Sequence, residues 1–560
     1  MLQVIDRTQN AYDAIVVGSG ATGGWAAKVL TEGGLKVCLL EAGPPTTPAE
    51  FTEHTLPYDY KYRSIQPILS PMQPVQRLVY ACREPNKNWF VNDIENPYTT
   101  PEGKPFHWIR QRRLGGRSLS WGRQTYRMSP LDLQAADHDG YGVNWPIQYE
   151  ELVPYYERVE KAIGISGRAE GLPQLPDSVF QPPMGFSCGE RLFAERVRAK
   201  MGRTVTIGRV AILTEALNGR PACHYCGPCE QGCSTNSYYA SPWTTLKDAA
   251  ATGNLTLLTD SPASHVLMDK ATGRANGVAY IDGATRQSRE VRAKVVVLCA
   301  STLESTRLLL NSAPDGLANS SGALGHYLMD HLYRSYVNGE FTELPRGQAW
   351  SGPPARPNGL YIPRFRNVDR RETSGFIRGY GYQGTVFPAF AMNARGFGAQ
   401  FKNAVRSEAP WTARINAFHE CLSRYDNQVT LDPDVKDAWG IPAPRISMNW
   451  GENEHALWKD SRAQGAEMLE AAGAKNIVIS GDYSTPGFGI HEMGTARMGA
   501  DPRSSVLDKW NQTHDVSNLF VTDGSAFPSI GCANPTLTMM ALTVRACERI
   551  IERGKQGEFA

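Results

Sequence analysis

The stretch that most constrains this chain is YDAIVVGSGATGGWAAKVLTEGGLKVCLLEAG, Tyr12 to Gly43. An apolar run, Ala14 to Val17, reads as a buried strand. A cluster of glycines follows, then an Ala-rich helical segment and a second apolar run, Val37 to Leu40. That is a βαβ unit with a glycine turn. Gly18 permits the tight turn, Gly20 lets backbone approach a pyrophosphate, and Gly23 lets helix and strand pack closely, with the phosphates at the helix N-terminus. Glu41 ends the second strand, 21 positions after Gly20, where a carboxylate can accept hydrogen bonds from a ribose. The glycines alone would fit an ordinary βα turn. Two flanking strands, the helix and the placed acid together predict a dinucleotide-binding unit.

At 560 residues the chain exceeds what one core usually supports, so two domains or one elaborated domain are expected. A hydrophobic share of 41% and a charged share of 20% are those of a soluble globular protein. The net charge of +2 supplies no field for nucleic acid or an anionic membrane. No apolar run approaches the roughly 20 residues that span a bilayer, and no basic segment followed by an apolar one precedes the fold. No direct membrane insertion and no export signal are therefore expected, which predicts a cytoplasmic protein, or a periplasmic one exported with a signal-bearing partner. Of the 11 cysteines, seven are scattered and read as small buried hydrophobes, with no disulfide framework. The other four, Cys223, Cys226, Cys229 and Cys233, fall within ACHYCGPCEQGCSTNSYY.

Residues 44–108 form a long irregular stretch rich in Pro and Tyr, which reads as a lid or an interface arm. Ile147 to Ile163 has helical periodicity. Leu255 to Asp260, Ser264 to Met268, Ala275 to Ile281 and Lys294 to Cys299 read as strands, the last running into the helical pattern ASTLESTRLLLNS. From Arg334 to Ile479 short alternating strands carry Trp350, Tyr361, Phe365, Tyr380, Tyr382, Phe387 and Phe390, which predicts an antiparallel sheet. The end, NLFVTDGSAFP then NPTLTMMALTVRACERIIERG, returns to strand and helix. The expected class is α/β: a Rossmann-like domain over 1–333, with the arm 44–108 and the Cys-rich loop 221–237 inserted, an antiparallel-sheet substrate domain over 334–480, and the nucleotide domain completed by 481–560.

Five motifs in order, VVGSGATGG with Glu41, LGGRSLSWG, VVVLCASTLESTRLLL, GIHEMGTARMG and FVTDGSAFPSIGCANPTLTMMAL, resemble the glucose-methanol-choline family of flavin oxidoreductases over nearly the whole chain. The resemblance implies FAD and oxidation of an alcohol to a carbonyl. Such a reaction needs a base for the hydroxyl proton, and histidine is suited to that near neutral pH. The family's base matches His491 in HEMGT, and its second position, His or Asn, matches Asn534 in CANPTLT. Histidines His107, His265, His326, His331 and His419 read as structural. The expected cofactor contacts are Gly18, Gly20, Thr22, Gly23, Glu41, Gly115, Gly116, Ser120, Trp121, Val266, Asp523, Gly524, Pro535 and Thr536. In the pyranose oxidases of the family a histidine just before that tryptophan bonds covalently to the flavin. Ser120 stands there in this chain, so noncovalent FAD is expected.

The cysteine spacing, two, two and three intervening residues, is that of a bacterial iron-sulfur ligand run. A structural loop without metal stays open, and zinc fits less well because it usually takes two separated pairs. Resemblance to bacterial sugar dehydrogenases implies a [3Fe-4S] cluster held by three or all four of Cys223, Cys226, Cys229 and Cys233, an exit for electrons toward a haem or quinone acceptor, and a small partner subunit. A dehydrogenase is then preferred to an oxidase. Aromatic faces interspersed with polar groups suit sugars. The resemblance to bacterial glucoside 3-dehydrogenases points to a sugar or glycoside oxidised at its 3-hydroxyl. The alternatives are an oxygen-using oxidase of sugars or C-glycosides and a nonenzymatic flavoprotein, the latter disfavoured by the presence of both His491 and Asn534.

Overall fold

The computed structural model describes residues 11–62, 71–345, 356–372, 375–388, 396–407 and 410–559; Trp350 and Phe390 lie outside them. Strand Tyr12–Val17 runs into helix Ala21–Glu32, and strand Val37–Leu40 returns parallel to the first, with Ala14 beside Val37 and Val17 beside Leu40. Leu255–Leu258 adds to one side of this pair, and Ser288–Leu298 followed by Leu519–Val521 add to the other, all parallel. The strands are apolar almost throughout because crossover segments cover a parallel sheet. Val16, Leu39, Val296 and Leu519 are all fully buried. Helix Ala21–Glu32 packs against the closing helix Thr536–Lys555.

One strand serves two pairings. Only Lys294 to Cys299 reads as a strand from sequence, but the strand starts at Ser288. Residues 288–292 pair antiparallel with Arg274–Ile281, which pairs in turn with Ala263–Asp269, while residues 293–298 join the parallel sheet. The charged half, SREVRA, has one wet face, as an antiparallel ribbon allows, and the apolar half VVVL is buried on both.

The second sheet is antiparallel, in the order Lys475–Ser480, Leu332–Phe341, Trp411–His419, Tyr380–Pro388, Leu360–Ile362, Thr206–Ile207. One face packs under helices Glu452–Ala471 and Cys188–Met201, with Val337, Ile415 and Tyr382 meeting Leu457, Met468, Phe193 and Val197. Residues 188–207, placed with the first domain by sequence, thus sit in the second core. The pleat turns alternate residues the other way. Tyr382 faces the helices while Gln383 faces a cavity, and Ala417 faces the helices while Phe418 faces the same cavity.

Among its described residues the arm 44–108 contains only short 3-10 turns as helical or strand elements. It folds over the cysteine loop. Thr52 N donates to Gln231 O at 3.1 Å, Asn86 Nδ2 to Glu230 O at 2.6 Å, and the Phe51 ring covers Gly232. A small core of Val79, Cys82, Trp89, Phe90, Cys229 and Cys233 joins the two, and Val79 to Ala81 also wall the cavity.

Candidate active site

A cavity of about 510 Å³ runs from the glycine turn to the start of the closing helix. Gly18 has φ +95°, and a Cβ there would lie 2.5 Å from the Cys299 carbonyl oxygen; one on Gly23 would lie 1.8 Å from that of Gly18. These two glycines answer to packing. Gly20 does not: nothing lies within 4 Å of where its Cβ would be, and the nearest atom to a Cβ on Gly116 is Gly20 Cα at 3.7 Å. Two backbone turns face each other across space that side chains would fill, which fits close passage of a pyrophosphate. Helix Ala21–Glu32 starts there and helix Thr536–Lys555 starts at the far end of the cavity, each with no side-chain cap and no acid in the first turn. Their first N–H groups and the positive ends of their dipoles are left for an anion.

Glu41 lines the cavity, its carboxylate accepting from Ser19 N at 3.1 Å, from the Ser19 hydroxyl and from Gly43 N at 2.8 Å. Burial pushes its carboxyl pKa up, against the pull of those hydrogen bonds. Thr22, Asp523, Gly524, Pro535 and Thr536 also line the cavity. So do Ser120, whose hydroxyl accepts from Gln111 Nε2 at 2.6 Å, and Trp121, whose Nε1 donates to Tyr239 O at 3.0 Å. These donors and acceptors fit FAD. Three expected contacts stand back from the wall. Gly23 is spent on helix packing, and Gly115 donates its N–H to Ser19 Oγ at 2.8 Å with Pro242 filling its Cβ position. Val266 donates its N–H to Ser312 Oγ at 2.8 Å, and Ser261, Pro262 and Ala263 form the wall in its place.

At the other end His491 Nε2 lies 3.3 Å from Asn534 Nδ2, so the expected base and its amide partner meet. Asn534 Oδ1 accepts from Gln383 Nε2 at 2.7 Å. His491 Nδ1 lies 2.8 Å from His331 Nδ1, and His331 Nε2 lies 2.9 Å from Gly531 O. The structural assignment of His331 is therefore corrected: it touches the base. Asp330 holds the loop, its carboxylate accepting from His491 N and Gly489 N, each at 2.9 Å. Burial and the nearby Glu492 charge push Asp330 up to about 7. Desolvation, then His331 and Arg117, push His491 well below the usual histidine range. An ordinary histidine base would lose half its neutral form near pH 6.5. Because the lowered pKa keeps His491 neutral further into acid, stopped-flow flavin reduction by an Asp330→Asn enzyme, which lacks the carboxyl that titrates near 7, should hold its rate from pH 8 down to pH 6; a fall centred near 6.5 in that variant would contradict this.

Arg117, in the LGGRSLSWG loop, ties three elements together. Its Nη1 donates to Glu492 Oε2 at 2.7 Å and to Ile490 O at 3.2 Å, and its Nη2 donates to Ser301 Oγ at 2.7 Å. Around His491 the wall is aromatic: Tyr333 packs on Phe418 with ring centroids 4.9 Å apart, and Phe488 is 6.2 Å from Tyr333. Gln383, Tyr333 and Phe488 come from distant segments, and nothing in their local sequence marks them.

The four cysteines are free. Cys229 and Cys233 are buried, and Cys223 and Cys226 half-buried. Cys223 Sγ accepts from Tyr225 N and Cys233 Sγ from Ser237 N, each at 3.3 Å. Among the described residues no group of three or more His, Cys, Asp or Glu side chains is placed to hold a metal ion. Arg123 is buried beside the loop, acting electrostatically on Cys229, and its Nε and Nη1 have no hydrogen-bond partner among the described residues.

With this geometry in view, comparison with known proteins gives consistent relatives. The chain is 33% identical to 2-methyl-1,2-propanediol dehydrogenase of Mycolicibacterium austroafricanum over 97% of its own length and 95% of the relative's. It is 30% identical to the fructose dehydrogenase large subunit of Gluconobacter japonicus, covering 97% and 98%. Its fold is similar to that of pyridoxine 4-oxidase from Mesorbium loti, with TM-score 0.60 and 19% identity, covering 96% of this chain and 98% of that one. The N- and C-terminal GMC oxidoreductase family models match residues 12–333 and 423–543, so this chain, with its glycine cradle and its His491 and Asn534 pair, belongs to the GMC oxidoreductases, FAD-using enzymes that act on alcohols.

Proposed function

We propose that the protein oxidises a secondary alcohol of a sugar or glycoside, at the 3-hydroxyl, to a ketone. The observation that carries this is the wall around His491 and Asn534, where Tyr333, Phe418 and Phe488 supply faces for sugar C–H groups and Gln383 and Asn534 supply polar edges. Asn534 Nδ2 offers its N–H to the substrate oxygen, and His491 Nε2 takes the hydroxyl proton. The aromatic side chains keep water from the reacting carbon. The flavin, when bound, supplies the acceptor for the two electrons that the alcohol loses.

We further propose that the cysteine loop holds a [3Fe-4S] cluster, and that a haem or quinone acceptor on a small partner subunit takes the electrons. The cysteine spacing, the N–H groups aimed at Cys223 and Cys233, and the buried Arg123 with unpaired N–H groups beside Cys229 support an anionic occupant. When bound, the cluster supplies a one-electron relay. A cytoplasmic protein, or one exported with that subunit, follows.

Anaerobic absorbance and EPR spectra of the purified protein, before and after methyl β-D-glucoside or D-fructose, test these statements together. Flavin bleaching by a sugar and a cluster signal are expected, and NMR of the product should show a 3-keto sugar. Bleaching only by simple aliphatic diols would overturn the substrate class. Protein purified anaerobically without iron would overturn the cluster, and peroxide formed in air at the rate of substrate oxidation would make the enzyme an oxygen-using oxidase instead.

A further inference from the structure

We propose that His331 and Gln383 are positioning residues that make the hydrogen bonds around His491 run in one direction, with the substrate hydroxyl as the link inserted in the middle. The proposal rests on the alcohol oxidation described above. A carbonyl oxygen can only accept, so His331 Nε2, 2.9 Å from Gly531 O, must carry the hydrogen. A neutral imidazole has one N–H, so His331 Nδ1 is left as an acceptor and His491 Nδ1, 2.8 Å away, must donate to it. The lone pair of His491 is thereby placed on Nε2, the nitrogen that faces Asn534 and the cavity. His331 is fully buried, and burial holds it down to about 4, so it stays neutral and keeps this role.

The amide side is fixed in the same way. Gln383 Nε2 donates to Asn534 Oδ1 at 2.7 Å, which turns Asn534 Nδ2 toward His491 Nε2. A substrate hydroxyl beside the pair, within hydrogen-bond reach of both nitrogens, accepts from Asn534 Nδ2 and donates to His491 Nε2 in place of their direct 3.3 Å contact. After His491 takes that proton, its Nδ1–H still donates to His331, so no ring has to turn. Without His331 the buried Nδ1–H of His491 has no acceptor, and the other tautomer, which has no lone pair on Nε2, is favoured. Without Gln383 the Asn534 amide is free to present its oxygen to Nε2, which also favours the wrong tautomer.

The test uses the FAD-loaded enzyme with 15N-labelled histidine, the His491 resonances being assigned by their loss in His491→Ala. Wild-type enzyme should show His491 protonated on Nδ1 and bare on Nε2. His331→Leu should shift it to Nε2–H and slow anaerobic flavin reduction by methyl β-D-glucoside or D-fructose about 100-fold with little change in KM, as losing a correctly oriented base does. His331→Asn, whose amide oxygen can stand where Nδ1 stood, should recover both to within about tenfold. Gln383→Glu supplies a second signature. An ionised carboxylate cannot donate to Asn534 Oδ1 but a protonated one can, so this variant should be about 100-fold slow at pH 8 and recover as the pH falls. Around position 383 stand Tyr361 and Asn416 on the flanking strands, Asn534 and the two histidines, and Arg117 is the charge that reaches His491. Neither histidine takes up charge in that range, and Asp330, which holds His491 N and titrates near 7, does so in the wild type as well, so a recovery seen in Gln383→Glu and not in the wild type reports the new carboxyl.

Wild-type His491 protonated on Nε2, a slow His331→Leu that keeps the Nδ1–H tautomer, or a Gln383→Glu enzyme without acid recovery would each overturn the proposal. If no sugar reduces the wild-type flavin, the substrate reading fails while the tautomer measurement still decides this one.

Discussion

Replacing His491 by alanine leaves FAD bound and slows its anaerobic reduction by substrate about 10³-fold, equivalent to about 4 kcal/mol of barrier. The cofactor cradle is built from Gly18 to Thr22, Glu41, Gly116 and Asp523, none of which contacts the imidazole directly, so flavin absorbance and affinity should be close to wild type. What the variant lacks is the one side chain whose Nε2 meets Asn534 at the cavity's reactive end. Its own lowered pKa is part of the argument, because desolvation makes the neutral form available without an outside proton acceptor. Flavin reduction at the wild-type rate in His491→Ala would remove the base from the mechanism.

A pair of alanine substitutions one turn apart should have opposite consequences. At Gly23 the added methyl carbon would sit 1.8 Å from the Gly18 carbonyl oxygen, a backbone atom that the first strand and its turn hold in place. The fold loses about 4 kcal/mol or more, since backbone cannot yield as a side-chain tip does, and little soluble protein is expected. At Gly20 the backbone has φ −63°, ordinary for alanine, and nothing lies within 4 Å of the new methyl. Gly20→Ala should therefore melt within about 0.5 kcal/mol of wild-type apoprotein, yet bind FAD at least about tenfold more weakly, because the methyl occupies the approach to the pyrophosphate. Calorimetry of apoprotein and flavin titration separate the two effects, and a Gly20→Ala protein that binds FAD normally would contradict the cradle.

What was legible in the sequence was what is local. The glycine turn and Glu41 declare themselves through spacing within a single βαβ unit, and the HEMGT and CANPTLT motifs carry their chemistry within a few residues. His331 was misread because its partner lies 160 positions away and only the bulged strand beginning at Leu332 brings them together. Gln383 looks like any exposed polar residue of a strand until the pleat turns it, between Tyr382 and Gly384, into the cavity. Helix Glu452–Ala471 opens with ENEH and carries charges on much of its surface, so its buried stripe of Leu457, Ser461, Gly465 and Met468 is a weak signal beside the aromatic strands around it. Val266 was placed at the cavity by resemblance to a backbone position, and Ser312, with a hydroxyl that accepts its N–H, occupies that contact instead.

Strand Ser288–Leu298 pairs on one side with Tyr12–Val17 and on the other with Leu519–Val521, segments far apart along the chain. The cavity has the same seam: Gly20 on one wall, Pro535 and Thr536 on another. A chain emerging from the ribosome holds its glycine turn long before the helix that completes the cofactor's surroundings exists. Pairings between such distant segments form late and slowly. The complete cofactor surface therefore exists only once both segments have been made and paired, and until then the chain is an apoprotein with an open seam.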